Sequence, residues 1–229
     1  MKSGWMGILA VLCMATQVFS ADTTVLKTDK DKISYILGIN MGNHFKRDAI
    51  DVDTDMLMKG FKDALSGAKP LLNDEEMASA MTLFQKEMMA KQAEKIKMAG
   101  EKNKKAGETF LLENSKKDGV ITLKSGLQYK VITEGTGKMP KESDTVTTHY
   151  RGTLVDGTEF DSSYKRGEPV SFPVNGVIPG WTEALQLMKT GSKWQLFIPS
   201  DLAYGENGPE PIGPNAALIF DVELISVAE

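Results

Sequence analysis

The sequence predicts an α+β protein, in which an all-helical part precedes a twisted antiparallel sheet that wraps one short helix. From Asp29 to Lys117 apolar residues recur every three or four positions, which is the period of a helix. From Gly119 they alternate with polar residues, and Gly-rich turns separate the alternating runs, which is typical of strands. The chain is 41% hydrophobic and 25% charged over 229 residues, which excludes collagen-like, disordered and multi-span membrane classes.

The N-terminus predicts an export signal. Lys2 precedes an apolar run over 7–19, which suits the core of a signal peptide and is short for a membrane span. Val18 and Ser20 fit the cleavage rule, so we expect cleavage after Ser20 or one residue later. An uncleaved anchor is the alternative. The only cysteine, Cys13, lies in this segment, so the mature chain would have no disulfide, thiol nucleophile or Cys-ligated metal.

Three helices are expected before residue 118. Thr28 or Asp29 can cap the first and Asp53 or Thr54 the second, which ends near Gly67. The third begins near 73 and carries an apolar stripe, after which Lys, Glu and Ala dominate. The apolar positions that define the three faces are Ile33, Ile36, Leu37, Met41 and Phe45, then Leu57, Phe61, Ala64 and Leu65, then Met77, Met81, Phe84 and Met88.

The third helix is expected to be about 40 residues long, on the order of 60 Å, and mostly solvated beyond its stripe. Gly100 and Gly107 interrupt it, each at a cost of about 1 kcal/mol relative to Ala. They are interpreted either as hinges or as tolerated surface glycines.

The division of the chain follows from these patterns. We predict a signal peptide at 1–20, a helical dimerisation domain at 21–72, a long connecting helix at 73–117 and a sheet domain at 118–229. The first helices are too short to build a core alone, so two copies would have to pack together. Eight of the 13 methionines lie between Met41 and Met98, where flexible side chains suit such an interface or fill gaps in an ordinary core.

The sheet domain has none of the usual catalytic sets. His44 and His149 show no metal-ligand spacing, and no histidine is placed to activate a serine beside Asp161. We therefore expect no metal and no cofactor. The net charge of −4 argues against nucleic acid as the main partner. Aromatic and apolar residues instead cluster beside turns, which indicates either an apolar pocket with a few polar groups or simply the core of the sheet.

Five stretches of the sheet domain resemble the FKBP-type peptidyl-prolyl isomerase family. They are THYRGTL at 148–154, DGTEFDSS at 156–163, VIPGWTEAL at 177–185, IPSDLAYG at 198–205 and GPNAALIFDVEL at 213–224. The resemblance covers about 119–227. The helical part is similar in arrangement to the N-terminal dimerisation domain of the Mip (macrophage infectivity potentiator) subgroup of exported bacterial isomerases.

The resemblance implies a substrate pocket with Trp181 as its floor. It also implies that Asp161 is the pocket carboxylate, that the Ile178 N–H binds the substrate carbonyl, and that Asp161, Tyr150 and Phe220 matter most for catalysis. The implied pocket residues are Tyr150, Phe160, Asp161, Val177, Ile178, Trp181, Tyr204, Ile212 and Phe220. The sequence departs from well-known eukaryotic members at Val170, where an aromatic residue is usual, and in the loop 206–211, so residue preference around the proline is open.

The implied function is cis/trans isomerisation of X–Pro bonds during the folding of exported proteins, together with chaperone activity. The expected partners are proline-containing peptides, unfolded proteins, a second copy of the chain and, by family resemblance, macrolide-type inhibitors. The expected location is the periplasm or the outer membrane or cell surface of a Gram-negative bacterium, with no membrane span left after signal cleavage. The alternative is a non-enzymatic peptide-binding chaperone or surface adhesin.

Overall fold

A computed structural model describes residues 26–228 of the chain, so the predicted signal peptide and its Cys13 lie outside the described residues. Residues up to Asn73 and residues from Asp74 onward form two separate compact units. The first contains α1 (Asp29–Arg47) and α2 (Thr54–Ser66), and the second begins with α3 (Asp74–Asn114). No helix within 26–228 is long and apolar enough to cross a membrane.

Side-chain caps define both helices of the first unit. Thr28 caps α1 in a capping box with Asp31, so the helix begins four residues before Ile33. The Asp53 side chain accepts two N–H groups at the start of α2, and Gly67 ends that helix with a φ of 69°. Neither helix has a buried residue, and the apolar faces predicted from the sequence lie largely exposed.

The long helix α3 differs from its prediction in its second half. Gly100 and Gly107 are buried, so the interpretation as surface glycines is wrong. A Cβ at Gly107 would lie 2.9 Å from the Ala217 Cβ, and one at Gly100 would lie 3.1 Å from the Asn215 amide nitrogen. The small size of glycine therefore lets this half of α3 pack directly on the sheet domain.

Polar and aromatic contacts fix the same half of α3. The Asn103 side chain donates to the Pro214 carbonyl at 2.9 Å, and the buried Asn114 side chain donates to Gln128 at 3.0 Å. Phe110 and Phe197 place their ring centroids 5.9 Å apart. The end of α3 is therefore part of the second unit, and is not the solvated shaft predicted from its composition.

The rest of the second unit is a seven-stranded antiparallel sheet with α5 packed on it, which confirms the predicted fold class. The strand order is β1-β2-β6-β7-β3-β4, and β5 also pairs with β3. Three short strands, β1, β4 and β5, lie in stretches where alternation was too brief to predict them. The elements are β1 (Val120–Thr122), β2 (Gln128–Thr133), β3 (Thr145–Leu154), β4 (Glu159–Ser162), α4 (Ser163–Arg166), β5 (Val170–Pro173), α5 (Pro179–Leu185), β6 (Lys193–Ile198) and β7 (Leu218–Ala228).

The central strand β3 positions the site. On one edge it pairs with β7 along its whole length. Its other edge is shared, because β5 pairs with 145–148 and β4 pairs with 151–153. The sheet curls around α5, whose Trp181, Ala184 and Leu185 are buried in the core. The aromatic side chains of the candidate site lie at one end of this core.

Candidate active site

A cavity of about 400 Å³ opens between β3, β4, β5 and the start of α5. Most of its wall is aromatic or aliphatic, and one carboxylate is exposed to it. The lining residues are Tyr150, Phe160, Asp161, Phe172, Gly176, Val177, Ile178, Trp181, Tyr204 and Phe220. The aromatic cluster noted in the sequence is therefore a pocket as well as the end of the core.

The floor of the cavity is a set of aromatic rings that meet edge to face. Trp181 is only 4% exposed, and its ring centroid lies 5.4 Å from that of Tyr150 and 5.2 Å from that of Phe220, both nearly perpendicular. Phe160 meets Phe220 in the same way at 5.5 Å. These are favourable arrangements for aromatic quadrupoles, and they hold the floor rigid.

Gly152 of β3 makes room for this packing. A Cβ there would lie 2.7 Å from ring atoms of both Phe160 and Phe220. Any larger residue would push the two rings apart, since real Cβ atoms do not approach so closely. The glycine in the THYRGTL stretch is therefore needed for the packing of the pocket rings.

The start of α5 supplies another wall. Ile178 precedes the helix in an extended conformation, and Pro179 occupies the first turn, where its missing N–H costs nothing. The Ile178 carbonyl accepts the N–H groups of Trp181 and Thr182 at 2.9 and 3.1 Å. The orientation of the Ile178 main chain at the cavity wall is thereby fixed.

Three polar side chains close a triangle at the rim. The Tyr150 hydroxyl donates to Asp161 at 2.5 Å. Arg166 of α4 donates to the other Asp161 oxygen and, at 2.8 Å, to the Tyr150 hydroxyl. The guanidinium also lies over the Tyr150 ring, 5.4 Å from its centroid. Each member is thus held by the other two.

The triangle also sets the protonation of its members. Burial raises the pKa of Tyr150, and the hydrogen bond to Asp161 raises it further. For Asp161, burial alone would raise the pKa, but hydrogen bonds from Tyr150 and Arg166 outweigh it and leave the pKa below its ordinary value. At neutral pH the pair is therefore a phenol and a carboxylate. Neither group is poised to exchange a proton with a bound substrate.

Eight of the nine pocket residues expected from the family resemblance line the cavity. The ninth, Ile212, does not. It is 7% exposed and packs into the hydrophobic core, and its N–H donates to the Pro209 carbonyl in a tight turn. Val170 does not line the cavity either; the aromatic residue that lines it from the same strand is Phe172.

Besides Gly176 of the cavity lining, two side chains of the site were not predicted from the sequence. Phe172 lines the cavity and meets Trp181 with ring centroids 5.6 Å apart. Phe172 is two positions from Val170 and so lies on the same face of β5, but the alternation in this four-residue strand was too short to predict it. Arg166 carried only the weak signal of a basic residue five positions after Asp161.

The fold and the pocket define a class of protein in which an antiparallel sheet and one short helix form a cavity with aromatic walls. The FKBP-type peptidyl-prolyl cis-trans isomerase family matches residues 136–225, and the domain amino-terminal to such isomerases matches residues 30–131. The chain therefore belongs to the FKBP-type peptidyl-prolyl isomerases, which confirms the predicted family and the predicted enzyme class.

Relatives with both parts are found among bacterial proteins. The chain is 51% identical to the outer membrane protein MIP of Legionella longbeachae, covering 94% of this chain and 93% of that one. It is 45% identical to the peptidyl-prolyl cis-trans isomerase Mip of Coxiella burnetii, covering 89% of each. The crystal structure of FkpA from Escherichia coli superposes with a TM-score of 0.72 at 40% identity, covering 89% of this chain and 99% of that one.

Proposed function

We propose that this isomerase accelerates X–Pro rotation by binding the twisted amide in the aromatic cavity. The observation that carries the proposal is the edge-to-face floor around Trp181 next to the closed triangle of Tyr150, Asp161 and Arg166. The first offers a rigid apolar seat for a proline ring. The second presents a fixed polar group at its rim.

The chemistry of the bond suits such a site. The partial double bond of the amide sets a rotation barrier of about 18–20 kcal/mol. At the transition state the amide loses conjugation, so its nitrogen and oxygen carry less charge than in the planar form. A dry apolar pocket therefore favours the twisted form over the planar one, which water solvates better.

Individual residues are assigned roles on this basis. Trp181 forms the seat of the proline ring, and the Ile178 N–H donates to the carbonyl of the substrate. Tyr150, Asp161 and Phe220 are assigned to catalysis by shape and polarity, since the protonation of Tyr150 and Asp161 gives no reason for proton transfer. Phe160, Val177 and Tyr204 complete the walls, and Ile212 supports them from the core.

The test follows cis/trans relaxation of a short Phe-Pro peptide at low temperature, with Tyr150→Phe and Asp161→Ala. Each variant should lower kcat/KM about 10-fold or more, since each opens the triangle. The matched control is Tyr129→Phe, because Tyr129 stacks on Trp194 outside the cavity lining. Activity of Tyr150→Phe and Asp161→Ala equal to that of the control would refute the assigned roles.

We also propose that residues 21–72 form the interface of a homodimer, followed by a connecting helix at 73–117 and the isomerase part at 118–229. The support is the exposure of apolar side chains on α1 and α2: Ile33, Leu37 and Phe61 are 59%, 64% and 56% exposed. Faces of this kind mark interaction surfaces. Light scattering on the mature chain at micromolar concentration should give twice the protomer mass. A mass at or below 25.1 kDa would contradict the dimer.

A chaperone role for the dimer, on unfolded exported proteins, is the second part of the proposal. Two weak sites linked in one particle gain avidity for a long unfolded chain. A fragment from Asp74 keeps all of α3 with the sheet domain, so it suits the test better than one that cuts the helix. It should isomerise a tetrapeptide as fast as the full chain but suppress aggregation less. Equal suppression would exclude a chaperone role for α1 and α2.

The proposal also covers the cellular compartment of the protein and the inhibitors that its pocket binds. The predicted signal at 1–20 supports export to the periplasm or the cell surface. Protease treatment of intact cells distinguishes these two locations.

The apolar cavity supports binding of macrolide-type inhibitors, which should compete with the peptide. An inhibitor that binds the Trp181 pocket should lose affinity in a Trp181→Ala variant.

A further inference from the structure

One side of β3 has a gap in its strand pairing beside the active site. β5 covers that edge as far as Thr148, and β4 covers it from Arg151 onward. Residues 149 and 150 lie between the two strands. A buried backbone N–H or C=O without a partner is unfavourable, so something other than a strand has to satisfy this stretch.

The hydroxyl of Ser163 fills the gap. The Tyr150 N–H donates to the Ser163 oxygen at 2.8 Å, and the hydroxyl lies 3.1 Å from the Tyr150 carbonyl, to which it donates. His149 places its Nδ1 2.9 Å from the same oxygen. With Nδ1 protonated, the single proton and both lone pairs of the hydroxyl are used, all on β3. The serine is fully buried, so water cannot substitute for it.

The same serine is tied to the rim triangle through the chain. Ser163 is the first residue of α4, the short helix that also carries Arg166, and it follows Asp161 by two positions. Its hydroxyl binds the main chain of Tyr150, the third member. One buried hydroxyl therefore fixes the strand that holds Tyr150 against the segment that holds Asp161 and Arg166.

We infer that Ser163 is a positioning residue of the isomerase site, which sets the register between Tyr150 and the Asp161–Arg166 segment. The inference rests on the roles proposed for Tyr150 and Asp161. Ser163 does not line the cavity and does not touch substrate; it acts through Tyr150. This gives the second serine of the DGTEFDSS stretch a role in the geometry of the site.

The chain offers a matched control for this serine. Ser192 is also fully buried and also accepts a backbone N–H, but from Gly135 at 2.9 Å and not from a member of the rim triangle. Ser163→Ala and Ser192→Ala thus delete the same atom from equally buried sites. Both should lower the melting temperature. Only Ser163→Ala should lower kcat/KM of the folded protein, by about 10-fold, since small misplacements of site residues cost that much or more.

A double-mutant cycle separates positioning from general loss of stability. In a Tyr150→Phe background the triangle is already open, so Ser163→Ala should lower kcat/KM less than about two-fold further. Ser163→Thr keeps the hydroxyl and should recover most of the activity that Ser163→Ala loses. Activity is measured where circular dichroism shows every variant to be folded.

The outcomes are distinct. If Ser163→Ala behaves like Ser192→Ala, or if its effect is undiminished in the Tyr150→Phe background, the positioning role is refuted. If Tyr150→Phe itself leaves kcat/KM unchanged, the assigned role of Tyr150 fails instead. A reduced effect in the cycle together with recovery in Ser163→Thr establishes the positioning role.

Discussion

The two units of the molecule differ in how far they bury their apolar side chains. In the second unit, residues such as Leu196 and Val222 are completely buried between the sheet and α5. In the first unit, α1 and α2 have clear apolar faces and good caps, yet no residue of either helix is buried. Caps and periodicity make a helix locally favourable, but only burial gives it lasting stability.

This difference bears on the proposed dimer. The pocket belongs to the unit that buries its own core. Within residues 26–73 the apolar faces of α1 and α2 are largely exposed, so association through them would bury apolar surface and stabilise the first unit. Equivalent substitutions in the two units should therefore have different consequences.

Phenylalanine gives the largest expected contrast. Phe220 is 5% exposed and contacts three other rings of the pocket, whereas Phe61 of α2 is 56% exposed. Phe220→Ala should lower the free energy of unfolding by about 3–5 kcal/mol and abolish most isomerase activity. Phe61→Ala should leave peptide isomerase activity unchanged and weaken the dimer. Chemical denaturation, the peptide assay and light scattering over a concentration series measure the three effects.

The contrast would break in either of two ways. Loss of isomerase activity in Phe61→Ala would show that the pocket depends on the first unit. An unchanged dimer in Phe61→Ala and in a second variant, Ile36→Lys, would show that the exposed faces of α1 and α2 do not form the interface. Ile36 is 54% exposed, so the lysine itself should not prevent α1 from forming.

Much of the fold was predictable because its signals are local. The caps at Thr28 and Asp53, the αL glycine at Gly67 and the alternation of the long strands each depend on residues close in sequence. The pocket was predicted from family motifs and not from spacing, because spacing could not separate a pocket from a core. Trp181 and Phe220 turn out to belong to both.

What could not be predicted depends on contacts between distant parts of the chain. Gly107 meets Ala217 across more than a hundred residues, so the composition of α3 gave no sign that its second half is packed. Arg166 belongs to the site only because α4 turns its side chain back onto Asp161. Ser163 has its inferred role because β4 and β5 leave residues 149 and 150 of β3 without a strand partner on that edge, and no pattern in the sequence indicates this gap.

Glycine gives the next contrast, between two helices. In Gly107→Ala the new methyl group would meet Ala217 at 2.9 Å, whereas a Cβ at Gly42 of α1 has nothing within 4 Å. Gly107→Ala should lower the free energy of unfolding by about 1–2 kcal/mol, because overpacking exceeds the gain in helix propensity. Gly42→Ala should instead stabilise α1 by up to about 1 kcal/mol. Denaturant titration of both variants measures whether the free energy of unfolding falls or rises in each. Stabilisation by Gly107→Ala would contradict the packing of α3.

Two carboxylates give the smallest contrast. The pKa of Asp31 is lowered by hydrogen bonds from the backbone and side chain of Thr28. At Asp161 burial would raise the pKa, but hydrogen bonds from Tyr150 and Arg166 lower it below its ordinary value of 3.8. A group whose pKa is lower in the folded state stabilises the fold above its unfolded-state pKa, and that contribution is lost as the pH falls through the folded-state value. Both contributions should therefore persist at pH 5 and disappear below pH 3.8.

The partners of the two carboxylates allow each to be changed alone. Arg166→Ala should raise the pKa of Asp161 and leave that of Asp31 in place, because a bonded cation is removed only from the site. Thr28→Ala should do the reverse, since it removes the side-chain hydrogen bond of Thr28, one of the contacts that lower the pKa of Asp31. NMR titration of the side-chain carboxyl carbons follows both groups in one sample. A rise of both pKa values in Arg166→Ala would mean that the two units are electrostatically coupled and that their separation into an isomerase part and an assembly part is incomplete.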